Sequence, residues 1–307
     1  MISKGIKVLR NKLIFFLKNL RFIKKRFFLI LIFLFIILPI SIKNISLIKF
    51  SSYKAKTKIF LKESYYSNCN IKEINHIPSS STIIAGHIYK NNNKDIDYLN
   101  NKLISFLSEN INKIDKIIFS GDIFEKPSKS KWQKLYEQFG VKKRIFISPG
   151  NHDIGLKNDD LYFLFKSSKL FFKEFPYKIS GSGYEIIIED SISNRWLISQ
   201  KTKDLINSKR LRKPLILVRH NIPVKDFLFL ANSHFGKSKN LPNLKTLNSV
   251  FDKEIIIISG DSGNGSYLPR FFCSKRGKVT YIINGLGGFK KDSLVILHKQ
   301  KLYKYEL

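Results

Sequence analysis

Arg144-Ile-Phe-Ile-Ser-Pro-Gly-Asn-His-Asp153 is the stretch that decides how this 307-residue chain is read. A short apolar run bounded by turn residues reads as a buried strand. Here the strand-like Arg144–Ser148 leads through Pro149 into Gly150-Asn-His-Asp153. Two further stretches repeat the arrangement: Lys116-Ile-Ile-Phe-Ser120 leads into Gly121-Asp122, and Leu215-Ile-Leu-Val218 into Arg219-His220-Asn221. Open α/β sheets place their chemistry where strands end and turns begin. Asp, Asn and His are all metal-ligand types, so the three blocks point to a metal-dependent site.

Around these blocks the pattern alternates. Strands are expected at 82–85, 116–120, 144–148, 215–218, 254–259, 279–284 and 293–298, with another near Tyr303. Residues 183–189 and 195–199 read as a strand pair. Apolar spacing near 3.6 predicts a helix over 95–111, carried by Ile96, Leu99, Leu103, Phe106 and Leu107. Helices are also expected at 132–139, at 159–175 up to Pro176, and at 201–211. Strands alternate with helices early and cluster late. That predicts a mostly parallel α/β sheet with helices outside, and a second sheet packed on it.

In order and separation, the blocks resemble those of the calcineurin-like metallophosphoesterases, usually written DxH, GD, GNH[DE], H and GHxH. In this chain they are Ala85-Gly86-His87, Gly121-Asp122, Gly150-Asn151-His152-Asp153, His220 and Gly260-Asp261-Ser262-Gly263, within residues 82–290. The resemblance implies an αββα sandwich of two packed mixed sheets flanked by helices, spanning 82–307. It also implies divalent metal, one or two ions, with the GD aspartate bridging. Carried over by position, the metal ligands are His87, Asp122, Asn151, His220 and Asp261, and the catalytic pair is His152 and Asp153. His152 would protonate the leaving-group oxygen, work suited to a group titrating near neutral pH. The chemistry implied is hydrolysis of a phosphate mono- or diester by metal-activated water.

Two blocks depart from the pattern. Ala85 stands where the family has an Asp ligand, and Asp261 and Gly263 stand where it has two His ligands. One ion would keep four donors: Asp122, Asn151, His220 and Asp261. The other would keep only His87 and Asp122, unless Asp153, Asn221 or Asn264 completes it. Carboxylate in place of imidazole hardens the set toward Mn, Fe or Mg. The half-empty second site raises an alternative: a degenerate phosphoesterase fold serving as a binding or scaffold protein.

Phe27–Ile42 is a sixteen-residue run without charge, extended past Lys43 by Ile45–Ile48. A spanning helix needs about 20 apolar residues. Nine basic residues precede Phe27, which predicts a cytoplasmic N-terminus by the positive-inside rule. The expected organisation is a basic segment at 1–26, an uncleaved anchor at 27–48, a linker at 49–81 and an extracytoplasmic catalytic domain.

The formal charge is +32, of which residues 1–50 carry +11. A field of that sign attracts nucleic acid, anionic lipid or phosphorylated substrates. The basic residues are scattered with no nucleic-acid-binding motif around them, so nucleic acid is not the expected partner. Two cysteines, Cys69 and Cys273, exclude a multi-disulfide scaffold and a cysteine zinc site; they could pair or stay as thiols.

Overall fold

A computed structural model describes residues 61–89, 98–141, 143–155, 159–208, 213–231, 240–262, 271–287 and 292–307. The expected basic segment and anchor lie outside the described residues. Among the described residues, no helix is long and apolar enough to cross a membrane.

Two mixed sheets form the domain. The first holds β1 (Ser81–Ala85), β2 (Ile114–Phe119), β3 (Arg144–Ile147), β10 (Ser293–His298) and β11 (Lys301–Glu306), in the order β11-β10-β1-β2-β3. Its β1-β2-β3 core is parallel, and β10 and β11 run antiparallel. The second holds β4 (Tyr177–Gly181), β5 (Tyr184–Ile188), β6 (Leu215–Arg219), β7 (Ile255–Ser259), β8 (Phe271–Arg276) and β9 (Val279–Asn284), in the order β4-β5-β6-β7-β9-β8. There β5, β6, β7 and β9 are parallel between antiparallel edges.

The apolar strand runs show no alternation because both faces are buried. Ile84, Ile118 and Phe146 are in register across the first sheet and face the inter-sheet core. Ile188, Val218, Ile258 and Ile282 form the matching row of the second sheet. One residue along, Ile83, Ile117 and Ile145 turn outward under α1 (Asn101–Asn110) and α2 (Lys129–Leu135), which bury Leu103, Phe106, Leu107, Trp132 and Leu135. On the far side, Ile187, Leu217, Ile257 and Tyr281 pack with Ile206 and Leu247, from α5 (Gln200–Asn207) and α6 (Leu244–Asn248), and with Phe227. Between α2 and α5 lie α3 (Asn151–Ile154) and α4 (Asp159–Lys166). The order of layers is helix, sheet, sheet, helix, as expected.

Several elements differ from expectation. The pair at 183–189 and 195–199 is instead a hairpin of β4 and β5, turned at Ser182 and Gly183, both with positive φ. Residues 190–196 form turns because the Asp190 carboxylate accepts the N–H groups of Ile192 and Ser193. The helix expected over 159–175 stops at Lys166, where the Ser167 hydroxyl donates back to the Leu164 carbonyl. The helix expected from 95 begins at Asn101, with Asn100 capping the Lys102 N–H; residues 90–97 lie outside the described set.

Residues 68–74 run along the side of the sandwich. Cys69 is disulfide-bonded to Cys273 of β8. The Asn68 side chain both donates to and accepts from the Lys275 backbone. Ile74 and Lys72 exchange backbone hydrogen bonds with Lys304 of β11. One segment therefore covers an edge strand of each sheet, which would otherwise present open backbone groups.

Candidate metal centre and active site

Every sequence block lies at the C-terminal end of a parallel strand: His87 after β1, Asp122 after β2, Asn151–Asp153 after β3, His220 after β6 and Asp261 after β7. The turns there are tight. Gly121 sits at φ +87°, and a Cβ on it would lie 2.5 Å from His220 Nδ1, so only glycine admits the ring. Asp122 and His87 hold positive φ values of 53° and 50°. Backbone strain at non-glycine residues concentrates at functional sites.

Asp122 is the hub and is buried. Its Oδ1 accepts the His152 N–H at 3.1 Å and lies 3.4 Å from His220 Nε2, while Oδ2 lies 3.9 Å from His87 Nε2. Burial opposes the Asp122 charge, yet the His220, His87 and His152 imidazoles and the His152 N–H hold its pKa below the ordinary carboxylate value.

His220 is fully buried. Its Nδ1 lies 3.0 Å from the Ser120 carbonyl, which can only accept, so Nδ1 carries the proton. Nε2 is then a lone pair with no hydrogen-bond partner, aimed at a carboxylate oxygen. Two acceptors facing each other in a buried site repel unless a proton or a cation lies between them. In the absence of a cation a proton fills that role. Burial works against it, but Asp122, Asp261 and the Ser120 carbonyl raise the His220 pKa above its ordinary value.

Asp261 is buried beside this pair, its Oδ2 accepting from Asn221 Nδ2 at 3.3 Å. Burial, and after it the Asp122 charge, raises its pKa despite the opposing pull of His220. Asn151 opens α3 and is half-buried. Asp122, His220 and Asp261 therefore lie buried beside one another, and Asn151 opens the helix that follows β3. Among the described residues no group of three or more His, Cys, Asp or Glu side chains is placed to hold a metal ion; Asp122, His220, Asp261 and Asn151 are nonetheless of the donor types that a divalent cation takes. His87, the expected donor to a second ion, has both ring nitrogens engaged, and Asn264 lies outside the described residues. His87 Nδ1 donates to the Leu286 carbonyl at 3.1 Å, and its Nε2 accepts the Tyr89 hydroxyl at 3.0 Å.

His152 is half-buried, with Nδ1 3.0 Å from the Glu125 carbonyl. That contact fixes the proton on Nδ1 and leaves Nε2 available. Asp153 behaves differently from its neighbour. Its Oδ1 accepts the N–H groups of Ile123 and Phe124, and its Oδ2 accepts that of Gly150 at 2.8 Å. Both oxygens are engaged in tying the turn after β2 to the turn after β3. Burial, then the Asp122 charge, pushes its pKa up to about 6.

A polar layer unforeseen from the sequence underlies the pocket. Arg219 is fully buried, its Nη1 2.9 Å from Glu189 Oε2 and its Nε donating to the Asn221 carbonyl at 2.8 Å. Ser199 N–H and the Thr202 hydroxyl occupy Glu189 Oε1. Ser191 bonds Asn221, which in turn holds Asp261. A clue was present: Arg219 and Glu189 each close an apolar strand run, where a buried charge requires a partner.

The family model for calcineurin-like phosphoesterases matches residues 87–285. No curated protein matches the chain. Among solved structures, a purple acid phosphatase from yellow lupin (Lupinus luteus) seeds is 11% identical with TM-score 0.50 over 78% of this chain. The chain spans about half of that protein's length, 55%. A putative 5'-nucleotidase from Staphylococcus aureus is 10% identical with TM-score 0.43, over 74% of this chain and 54% of that one. A phosphopantetheinyl hydrolase from Mycobacterium tuberculosis is 10% identical with TM-score 0.41, over 69% of this chain and 91% of that one.

Proposed function

Because the chain belongs to the calcineurin-like phosphoesterase family, we propose that it hydrolyses phosphate mono- or diesters with the help of a divalent cation. The observation that carries this reading is the buried His220 Nε2, which has no hydrogen-bond partner and faces the Asp122 carboxylate at 3.4 Å. Asp122, His220, Asp261 and Asn151 would hold the ion, and Mn, Fe or Mg suits that oxygen-rich set. When bound, such a cation supplies Lewis acidity toward the phosphoryl group and lowers the pKa of water. The protein's own part is positioning and proton delivery. A water molecule gives up one proton to solvent, its oxygen bonds to phosphorus as the ester P–O bond breaks, and His152, as the general acid, gives its Nε2 proton to the departing oxygen. The Glu125 carbonyl orients that ring through Nδ1. Asp153 holds the turns bearing Asp122 and His152 together and is a positioning residue.

We place the domain outside the cytosol on an N-terminal anchor at 27–48. Two features support this: the basic segment before the apolar run, and the Cys69–Cys273 disulfide, a bond characteristic of oxidising compartments. A reporter fused at Leu307 should report as extracytoplasmic. The closed His87 supports a second reading, a binding protein that has kept the fold and lost turnover.

The test uses the full chain purified in detergent, loaded with Mn, and assayed on aryl phosphomonoesters and phosphodiesters. Turnover that falls about 100- to 10,000-fold in His152→Ala, the range for losing a general acid, supports the enzyme reading. A folded protein that binds the ion and turns over neither ester leaves only the binding reading.

A further inference from the structure

We propose that this centre is mononuclear, and that the Tyr89 hydroxyl excludes a second ion by holding His87 as a hydrogen-bonded imidazole. The inference rests on the metal-dependent reading above and specifies the stoichiometry of that site. Hydrogen-bond direction is the core of the argument. A carbonyl cannot donate, so the Leu286 contact puts the His87 proton on Nδ1. Nε2 is then the single lone pair of the ring, and it receives the Tyr89 O–H at 3.0 Å. A lone pair that accepts a proton donor does not at the same time bind a cation.

The block is more than one hydrogen bond. The Tyr89 ring lies between two imidazoles, with centroids 4.4 Å from His87 and 5.4 Å from His152. It therefore fills the space on the His87 side of the pocket. Its backbone is fixed as well: Tyr89 pairs with Leu99, and Asn100 N–H bonds the Ile88 carbonyl. Tyr89 is buried, so its hydroxyl does not exchange His87 for bulk water.

The rest of the second site agrees. Ala85, just before the Gly86-His87 turn, offers no donor. Asp122 Oδ2 points toward His87 at 3.9 Å, a pair of potential ligands with the lone pair of one already engaged.

Manganese counting on the full chain tests this, by elemental analysis and by electron paramagnetic resonance at saturating free Mn. The wild type is expected to hold one ion per chain, with the spectrum of an isolated ion. His87→Asn should keep that ion with affinity changed less than threefold, because His87 is not a ligand. Tyr89→Phe keeps the ring, frees Nε2, and is expected to admit a second, weaker ion with spin coupling to the first. Two coupled ions in the wild type, a loss of affinity of tenfold or more in His87→Asn, or a Tyr89→Phe protein that still stops at one ion would each overturn the proposal. Absence of any bound ion in the wild type would instead refute the metal-dependent reading beneath it.

Discussion

Gly260→Ala is a small change with a large calculated consequence. A Cβ at Gly260 would lie 2.0 Å from the Ser120 carbonyl oxygen and 2.6 Å from Ser120 Oγ. Ordinary van der Waals contact begins near 3.4 Å, so the Ser120 carbonyl must retreat by about 1.4 Å. The contact is backbone against backbone, between strand ends of different sheets, and no rotamer change relieves it. The same carbonyl accepts the His220 Nδ1 proton at 3.0 Å. Its retreat breaks that bond and releases the ring from the tautomer that aims Nε2 at Asp122. Overpacking costs roughly 1–3 kcal/mol and a lost buried hydrogen bond about 1 kcal/mol more, so a total of about 2–4 kcal/mol is expected. For a domain of this size that lowers Tm by roughly 5–15 °C. Losing the hydrogen bond that orients a metal-ligating histidine typically weakens ion affinity about 10- to 100-fold. Thermal melts followed by circular dichroism and manganese titration calorimetry measure both effects. A variant with wild-type Tm and wild-type affinity would refute the claim that the close approach at Gly260 sets His220.

Cation affinity should rise with pH. The His220 pKa lies above its ordinary 6.5 in the metal-free protein, so its protonation stabilises that state below 6.5, and the benefit disappears as pH climbs through the raised value. The same proton competes with the cation, so calorimetry in buffers of different ionisation enthalpy should show about one proton released per ion at the low end of this range. Glu189→Ala strands the buried Arg219 guanidinium and should cost about 3–5 kcal/mol in a denaturant melt. It should also loosen Asp261 through Asn221, read as weaker manganese binding. Cys273→Ser opens a link across 204 residues and should cost about 2–5 kcal/mol by the same melt. A reductant should then have no further effect on that variant.

The legible part of this chain was the part encoded locally. Arg144–Asp153 and Lys116–Asp122 each carry strand, turn and ligand types within a few residues, and all the blocks meet at one end of the sandwich. The strands at 279–284 and 293–298 were equally plain, being mostly apolar runs. The edge strands β4 and β8 were not foreseen, because Lys178, Ser180 and Lys275 break the apolar pattern on their exposed positions. Residues 195–199 had strand-like composition, but the Asp190 carboxylate captured the preceding backbone into turns. The Glu189–Arg219 pair and the Tyr89–His87 bond depend on which partners the fold supplies. His87, with its bond to the Leu286 carbonyl, draws on a residue 199 positions away, and no window along the chain contains that information.

The strap at 68–74 has a consequence for proteolysis. A cut in the exposed residues just before β1 would normally release everything upstream of it. Here the upstream fragment stays covalently joined to β8 through Cys69 and Cys273, so a nicked molecule runs as one piece until it is reduced. A cut between residues 74 and 80 therefore does not separate the sandwich from the segment that carries Cys69; separation requires a cut ahead of Cys69, or a thiol.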